Sequence, residues 1–596
     1  MASAGGLAAA TAFLAACGGG SDGEETTDNS TLLSKPVDTT KVAKRTGVIK
    51  DRTHADPPTL DGIGANSPWN AVGPHIYSGL VAFKPGILKP TENEVVGDLA
   101  ESWEIAPDGL TITLKLRQGV KFHNKPPING RAMDMDDVLF SWDRFVKKGT
   151  SRTSFVNSVS PDAPVMSLTS TDSRTLVMKL KEPLVFVLGL FASNSSGYYD
   201  IVPKETESTF DPRGDMIGTG PYFLSNYQPS VSFTMKRNPD FWDKDYALAD
   251  QIDMPIVPEY ASALVQFKAG NTYSFGSYGS TPKITAEDVL PLKKETPAVQ
   301  VFGGDLGNPQ GLGTRILVYG WLPDGKSPFV DERVRQAISM SWDRDLYMDT
   351  FFNIPQFAAE GLPVDARWNT GLQAIQQGFW LDPKGKDFGP NAKYFVHDVA
   401  EAKKLLAAAG FPTGFETTSN YVTGPELPTA KHAEVIDNMI SEAGIRSKVN
   451  GLDYQTVYIP KYRDARGQFE GWAYKSTAGG AGTFDPVGEL ANFWWSKGGT
   501  TFHGFSVSGK NDQSGDPQVD SMIEKARLER DTERRRALVF DIQRYLAKPM
   551  FALYPPGSAT GFLVSWPALG NFRVFQGGRP NNGLWVDDTK APIAKT

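Results

Sequence analysis

Apolar and polar residues alternate at every second position from Leu110 to Leu116, as Leu-Thr-Ile-Thr-Leu-Lys-Leu, which predicts a strand with one buried and one solvated face. Elsewhere the period lengthens to that of a helix. Val138, Leu139, Trp142 and Phe145 recur at helical spacing behind Asp134 and Asp137, a carboxylate pair placed to cap a helix start. Asp331 stands before Val334, Ile338 and Ser341, and Asp398 before Ala402, Leu405, Leu406 and Ala409, with Gly410 as the stop. Asp516 and Pro517 open a further helix through Val519, Met522, Ile523 and Ala526, and Leu538, Ile542 and Tyr545 continue the pattern. Further strands are predicted over Tyr222 to Leu224, after the turn Gly218-Thr219-Gly220-Pro221, and over Ile316 to Tyr319. Strands and helices interleave with no fixed repeat of roughly 20 to 50 residues, which excludes solenoids and propellers. The pattern predicts an α/β or α+β chain with large lobes, crossing between them in the Pro/Gly-rich stretches near Pro282 to Gly313 and Pro549 to Gly561.

Composition sharpens this picture in two places. The 596 residues carry 61 Lys and Arg against 68 Asp and Glu, a net charge of -7, and so acidic a chain is ill suited to neutralising phosphates, so no nucleic acid is expected as a partner. The only cysteine is Cys17, which excludes an intrachain disulfide and any zinc site that needs two or more thiolates. Cys17 follows an apolar run from Leu7 to Ala16 and precedes Gly18, Gly19 and Gly20. Leu14-Ala15-Ala16-Cys17 resembles the lipobox of bacterial lipoproteins, in which the thiol carries a diacylglyceryl group that holds the protein at a membrane. The expected division is a signal peptide over 1–17 and a polar tether over 18–45. No Lys or Arg precedes Lys35, where such a leader ordinarily begins basic.

Catalytic signatures are sparse. Gly320-Trp321-Leu322-Pro323-Asp324-Gly325-Lys326-Ser327 fits the phosphate-loop pattern, but Pro323 offers no amide hydrogen, Pro328 turns Ser327 away from helix, and Pro-Asp-Gly is a turn in its own right. Gly504 to Asn511 is a weaker match, with Asn511 where the magnesium-binding hydroxyl belongs. There is no GxSxG elbow set between a strand and a helix and no HExxH, and none of the six histidines has a second within helical reach. His123 reads as a hydrogen-bonded structural residue. Carboxylate pairs of the kind that hydrolyse glycans remain open, because spacing in space is not given by spacing in sequence.

The ordered set of segments nevertheless resembles one family. Asp56-Pro57-Pro58-Thr59-Leu60-Asp61, Gly97 to Glu104 with Pro107-Asp108-Gly109-Leu110, Asp136 to Ser141, Gly218 to Tyr222 with Arg237 to Trp242, Arg333 to Ile338 with Asp343-Arg344, Ala402 to Gly410, and Asp516 to Arg536 are similar to the bacterial extracellular solute-binding proteins of the peptide and nickel group, family 5. The resemblance implies an α/β, two-lobe periplasmic-binding-protein-like fold of type II, in the large three-subdomain form with a hinge. Lobe 1 would take 46–295, with an inserted subdomain at about 80–190, lobe 2 would take 296–550, and 551–596 would return to lobe 1. It implies a non-enzymatic, cofactor-free and metal-free monomer, periplasmic or at the cell surface, that hands an oligopeptide or similar solute to an ABC permease. The competing expectation is a secreted, lipid-anchored hydrolase acting on glycans.

Candidate ligand contacts follow from the resemblance and from the rule that a closing cleft combines aromatic walls with a few polar groups. Trp472, Tyr474 and Lys475 open a Gly- and aromatic-rich segment that ends at Asp485-Pro486. Peptide-binding members carry a carboxylate on the matching loop; here Tyr474-Lys475-Ser476 stands near that place, leaving Lys475 to pair with a ligand carboxylate. Asn66 and Trp69 are candidates from the first lobe, and Trp494, beside Trp495, from the second.

Overall fold

The computed structural model describes residues 32–64, 67–84, 86, 88, 94–193, 199–276, 283–307, 315–322, 327–362, 364–376, 378–423, 429–476, 485–572 and 583–594. Cys17 and Asn66 lie outside them, as do 323–326 of the phosphate-loop match.

The predicted alternation at 110–116 forms the strand Thr111–Leu116, with Ile112 and Leu114 fully buried and Lys115 outside. It sits in an antiparallel four-stranded sheet between Ala100–Ile105 and Thr175–Leu180, with Val165–Ser170 beyond. The helix Met135–Lys148 covers this inserted sheet; Asp134 and Asp137 close its first turn as a reciprocal capping box. Asp331, Asp398 and Asp516 likewise accept from the first-turn amides of Glu332–Met340, Val399–Ala408 and Pro517–Leu528.

A second four-stranded sheet pairs Val48–Lys50 in parallel with Gln251–Pro255, followed by Ser232–Arg237 and Tyr222–Gln228. Beside it, Gly557–Ser565 pairs with Ser274–Phe275, Gln300–Gly307 and Ala366–Trp368. The strand Gln300–Gly307 therefore belongs with this group, although it follows the expected boundary at 295.

The remaining sheet has five strands in the order Ile445–Leu452, Phe415–Val422, Trp472–Ser476, Arg315–Tyr319 and Ala552–Leu553. The first three are parallel, and Arg315–Tyr319 runs against its neighbours. Register fixes where the chain enters and leaves. Arg315 pairs with Ser476, and Leu317 with Leu553, so entry at Arg315 and exit after Leu553 lie at the edge where Phe415–Val422 and Trp472–Ser476 finish. Entry to this sheet and exit from it thus share one edge.

This is the α/β, two-lobe fold of type II periplasmic binding proteins. One apolar core runs without a break from Ile112 and Leu114 of the inserted sheet to Leu317 and Trp472 of the five-stranded sheet. A separate core around Ile49, Trp69 and Tyr222 holds the first sheet. Among the described residues no helix is long and apolar enough to cross a membrane.

Candidate ligand-binding site

The strand Trp472–Ser476 brings most of the candidates to the crossing edge. Side chains alternate across a strand, so Trp472 and Tyr474 face one side and Lys475 the other. On the first side the helix Thr429–Glu442 presents Asp437, a carboxylate set into its apolar stripe of Ala433, Ile436 and Ile440. Asp437 accepts from Trp472 Nε1 at 3.2 Å, Tyr474 Oη at 2.8 Å and Ser447 Oγ at 3.1 Å. Trp472 Nε1 also reaches Ser419 Oγ at 3.0 Å. Burial raises the pKa of Asp437 despite these donors. Trp472 and Tyr474 are thereby frame residues that fix the strand.

On the other side Lys475, 3% exposed, donates to the carbonyls of Thr501 at 2.8 Å and Phe502 at 3.3 Å. Desolvation pulls its pKa down to about 7. Next along the chain His503 stacks on Phe493 at 5.5 Å and stands edge-on to Trp494 at 5.1 Å. Neither of its ring nitrogens meets a partner among the described residues, and burial, reinforced by the charge of Lys475, holds its pKa well below the usual value. Trp494 is buried in the same cluster, 6.4 Å from Tyr554.

Asp485 caps the helix Pro486–Trp494 by accepting from Val487 N at 2.8 Å and Gly488 N at 3.2 Å. Desolvation raises its pKa, while Arg535 and those amides oppose the rise. One turn on, Glu489 accepts from Gln373 Nε2 at 3.1 Å and Gln376 Nε2 at 2.6 Å, and burial raises its pKa too. Asn369, on the loop that carries these glutamines, donates to Pro555 O at 3.0 Å and accepts from Ser558 Oγ at 3.0 Å. A polar cluster therefore ties the capped helix to the second crossing. The two carboxylates are consumed by a cap and by amides, an arrangement that positions backbone and leaves neither as a general acid.

Trp69 lies apart from this group, in the separate core of the first sheet. It stacks on Tyr77 at 5.9 Å and donates Nε1 to Leu60 O at 3.1 Å. His123 is structural: its Nδ1 accepts from Gly218 N at 3.2 Å, and Nε2 meets Gly220 O at 3.1 Å. Ser327, the hydroxyl of the phosphate-loop match, donates to Gly320 O at 2.7 Å. Among the described residues no group of three His, Cys, Asp or Glu side chains could hold a metal ion.

Sequence reasoning missed Asp437, Glu489 and His503. Asp437 and Glu489 each left a signal, as a charge set within the apolar stripe of a helix.

Comparison with known proteins is consistent with this architecture. The sequence model for bacterial extracellular solute-binding proteins, family 5 (middle), matches residues 94–501. Di/tripeptide-binding protein 1 of Pseudomonas aeruginosa is 26% identical over 400 residues, covering 64% of this chain and 67% of the relative. Heme-binding protein A of Haemophilus influenzae is 26% identical over 468 residues, covering 75% and 76%. The solved structure of the periplasmic binding protein DppA of Helicobacter pylori, in complex with the peptide STSA, superposes with a TM-score of 0.68 at 19% identity, covering 91% of this chain and 98% of that one.

Proposed function

This chain belongs to the bacterial extracellular solute-binding proteins, family 5, and from that premise we propose that it captures a di- or tripeptide, or a similar small solute, between two lobes and passes it to an ABC permease. The observation that carries the reading is the shared edge: the entry at Arg315, the exit after Leu553 and the ends of Phe415–Val422 and Trp472–Ser476 meet there. Ligands of α/β sheets sit outside the carboxyl ends of parallel strands, and a lobe that the chain enters and leaves at one edge can swing about that edge.

We place the lobes accordingly. Lobe 1 comprises the first sheet, the group around Gly557–Ser565 and the inserted sheet; lobe 2 is built on the five-stranded sheet, which the chain enters at Arg315 and leaves after Leu553. Trp472, Tyr474 and Asp485 hold the elements that line the cleft, Trp494 and Trp69 brace them from either lobe, and Lys475 is the group that a ligand carboxylate would charge. Asn66 is kept as a contact from the first lobe. The relatives named above are binding proteins, and a glycan hydrolase finds no support among them.

Calorimetry tests the ligand class. Alanyl and leucyl di- and tripeptides are expected to bind and to be recovered chemically intact by mass spectrometry, whereas free amino acids give no heat. Cleavage of the peptides, or binding of none of them, would sink the peptide reading.

Membrane attachment through Cys17 is part of the same proposal, since an anchored receptor meets its permease at high effective concentration. Expressed in a bacterial host with its leader, the protein is expected in the detergent phase after phase separation and the Cys17→Ser variant in the aqueous phase. Equal partition of the two would remove the anchor.

A further inference from the structure

Beside the apolar core that the inserted sheet shares with the five-stranded sheet, a polar cluster joins the inserted sheet to the second lobe. After Thr175–Leu180 the chain runs through Glu182 and Val185 along the C-terminal end of the helix Pro517–Leu528. Arg527 Nη2 pairs with Glu182 Oε1 at 3.1 Å, and the Arg527 carbonyl accepts from Val185 N at 3.4 Å. Beside them Arg530 Nη1 donates to Pro107 O at 3.3 Å. The tip of that turn is Gly109, with φ +73°; a Cβ there would come within 1.9 Å of Arg530 Nη2. The left-handed backbone there favours glycine.

Arg527 is an unusual partner for a surface contact. It is 4% exposed, its guanidinium lies over Trp495 at 4.1 Å, and its Nε meets no acceptor among the described residues. Trp495 is itself held by a bond from Nε1 to Glu524 Oε1 at 3.2 Å, and Lys497 pairs with the same oxygen at 2.9 Å. A cation this buried is costly unless a carboxylate faces it. The carboxylate paired with it, Glu182, comes from the other lobe, while Glu524 of its own helix and Asp162 of the inserted sheet add to the attraction. Separating the lobes returns both groups to water; closing them desolvates Arg527 and makes Glu182 its compensation.

We propose that Glu182 and Arg527 are positioning residues for ligand retention, an ion-pair latch that sets the balance between closed and open lobes. The inference rests on the hinged-receptor reading above and specifies its regulation. A ligand can shift a two-state equilibrium only by its differential affinity for the states, and a closed population already raised by the latch lowers what the ligand must supply. Truncating one partner of a desolvated pair acts mainly on dissociation, so Glu182→Gln is expected to speed peptide release about tenfold while changing the association rate less than about twofold. Glu182 is partly exposed, so the variant should keep the wild-type thermal midpoint, which separates a latch from a fold-stabilising contact.

A second measurement needs no ligand. Spin labels at Lys179→Cys and Lys525→Cys, in a Cys17→Ser background, report the distance between the inserted sheet and the Pro517–Leu528 helix by electron–electron double resonance. In the ligand-free protein Glu182→Gln and Glu182→Lys are expected to move the distribution to longer separations, Glu182→Lys the further. Unchanged distributions in both variants would overturn the latch whether or not peptides bind, and an unchanged release rate would overturn its role in retention. If peptides fail to bind but the distances respond, the peptide reading falls and the latch stands.

Discussion

Replacing Trp472 by Ala is expected to lower the unfolding free energy by about 3–5 kcal/mol, the range for truncating a fully buried indole. Trp472 is completely buried, with Phe329 edge-on at 6.0 Å and both Ser419 and Asp437 bonded to its Nε1. Its loss opens a cavity and also removes a donor from a buried carboxylate whose charged form is already disfavoured. Trp472→Phe separates the two contributions: most packing stays, the donor goes, and a loss of about 1–3 kcal/mol follows from the unpaired acceptors. Urea unfolding of the three proteins at one pH gives the order, wild type above Trp472→Phe above Trp472→Ala. A loss below about 1 kcal/mol for Trp472→Ala would contradict the burial that makes Trp472 a frame residue. The frame assignment also predicts that Trp472→Phe still binds ligand, because the strand remains seated and continues to deliver its end to the crossing edge.

Much of this frame is local in origin and was readable as such. Each capped helix carries its own start signal in Asp134, Asp331, Asp398 or Asp516, and the strand at Thr111–Leu116 carries its buried face in its alternation. His123 was legible for the same reason, since the Gly218 to Tyr222 turn that bonds it was itself a recognisable element. What sequence could not supply was long-range pairing. Trp-Ala-Tyr-Lys-Ser shows no alternation of apolar and polar residues, and its central place between Phe415–Val422 and Arg315–Tyr319 depends on partners brought from distant parts of the chain. The engagement of Lys475 by Thr501 and Phe502, and of Arg527 by Glu182, depends on the same folding over distance. Family resemblance filled that gap for the fold. It did not fill it for the frame, because Tyr474 and Lys475 depart from the acidic pattern of peptide binders, and only the structure shows Tyr474 turned to Asp437.

The departure at Lys475 has a measurable consequence for stability against pH. The folded protein holds this ammonium at about 7, against an ordinary value of 10.5. Over that interval the unfolded chain binds the proton and the folded one releases it, so the unfolded state carries more protons and stability rises with pH. The gain, accumulated between about pH 7 and pH 10, comes to about 4 kcal/mol at 1.36 kcal/mol per unit. Below pH 7 both states are protonated and the burial penalty stays constant. The charges nearest the ammonium are Asp464, which favours the proton, and Arg463, Arg466 and any charge on His503, which oppose it. Asp464 is itself engaged by Arg463 at 2.7 Å, which is why desolvation prevails. Lys475→Met removes the titration and leaves the carbonyls of Thr501 and Phe502 without their ammonium donor, at about 1–3 kcal/mol. The variant is therefore expected to match or exceed the wild type at pH 7 and to fall below it at pH 10, so that the two stability profiles cross. Urea unfolding at half-unit steps locates the crossing. Profiles that stay parallel across the whole range would mean that Lys475 keeps its proton in the fold, and that the two carbonyls outweigh the loss of water around it.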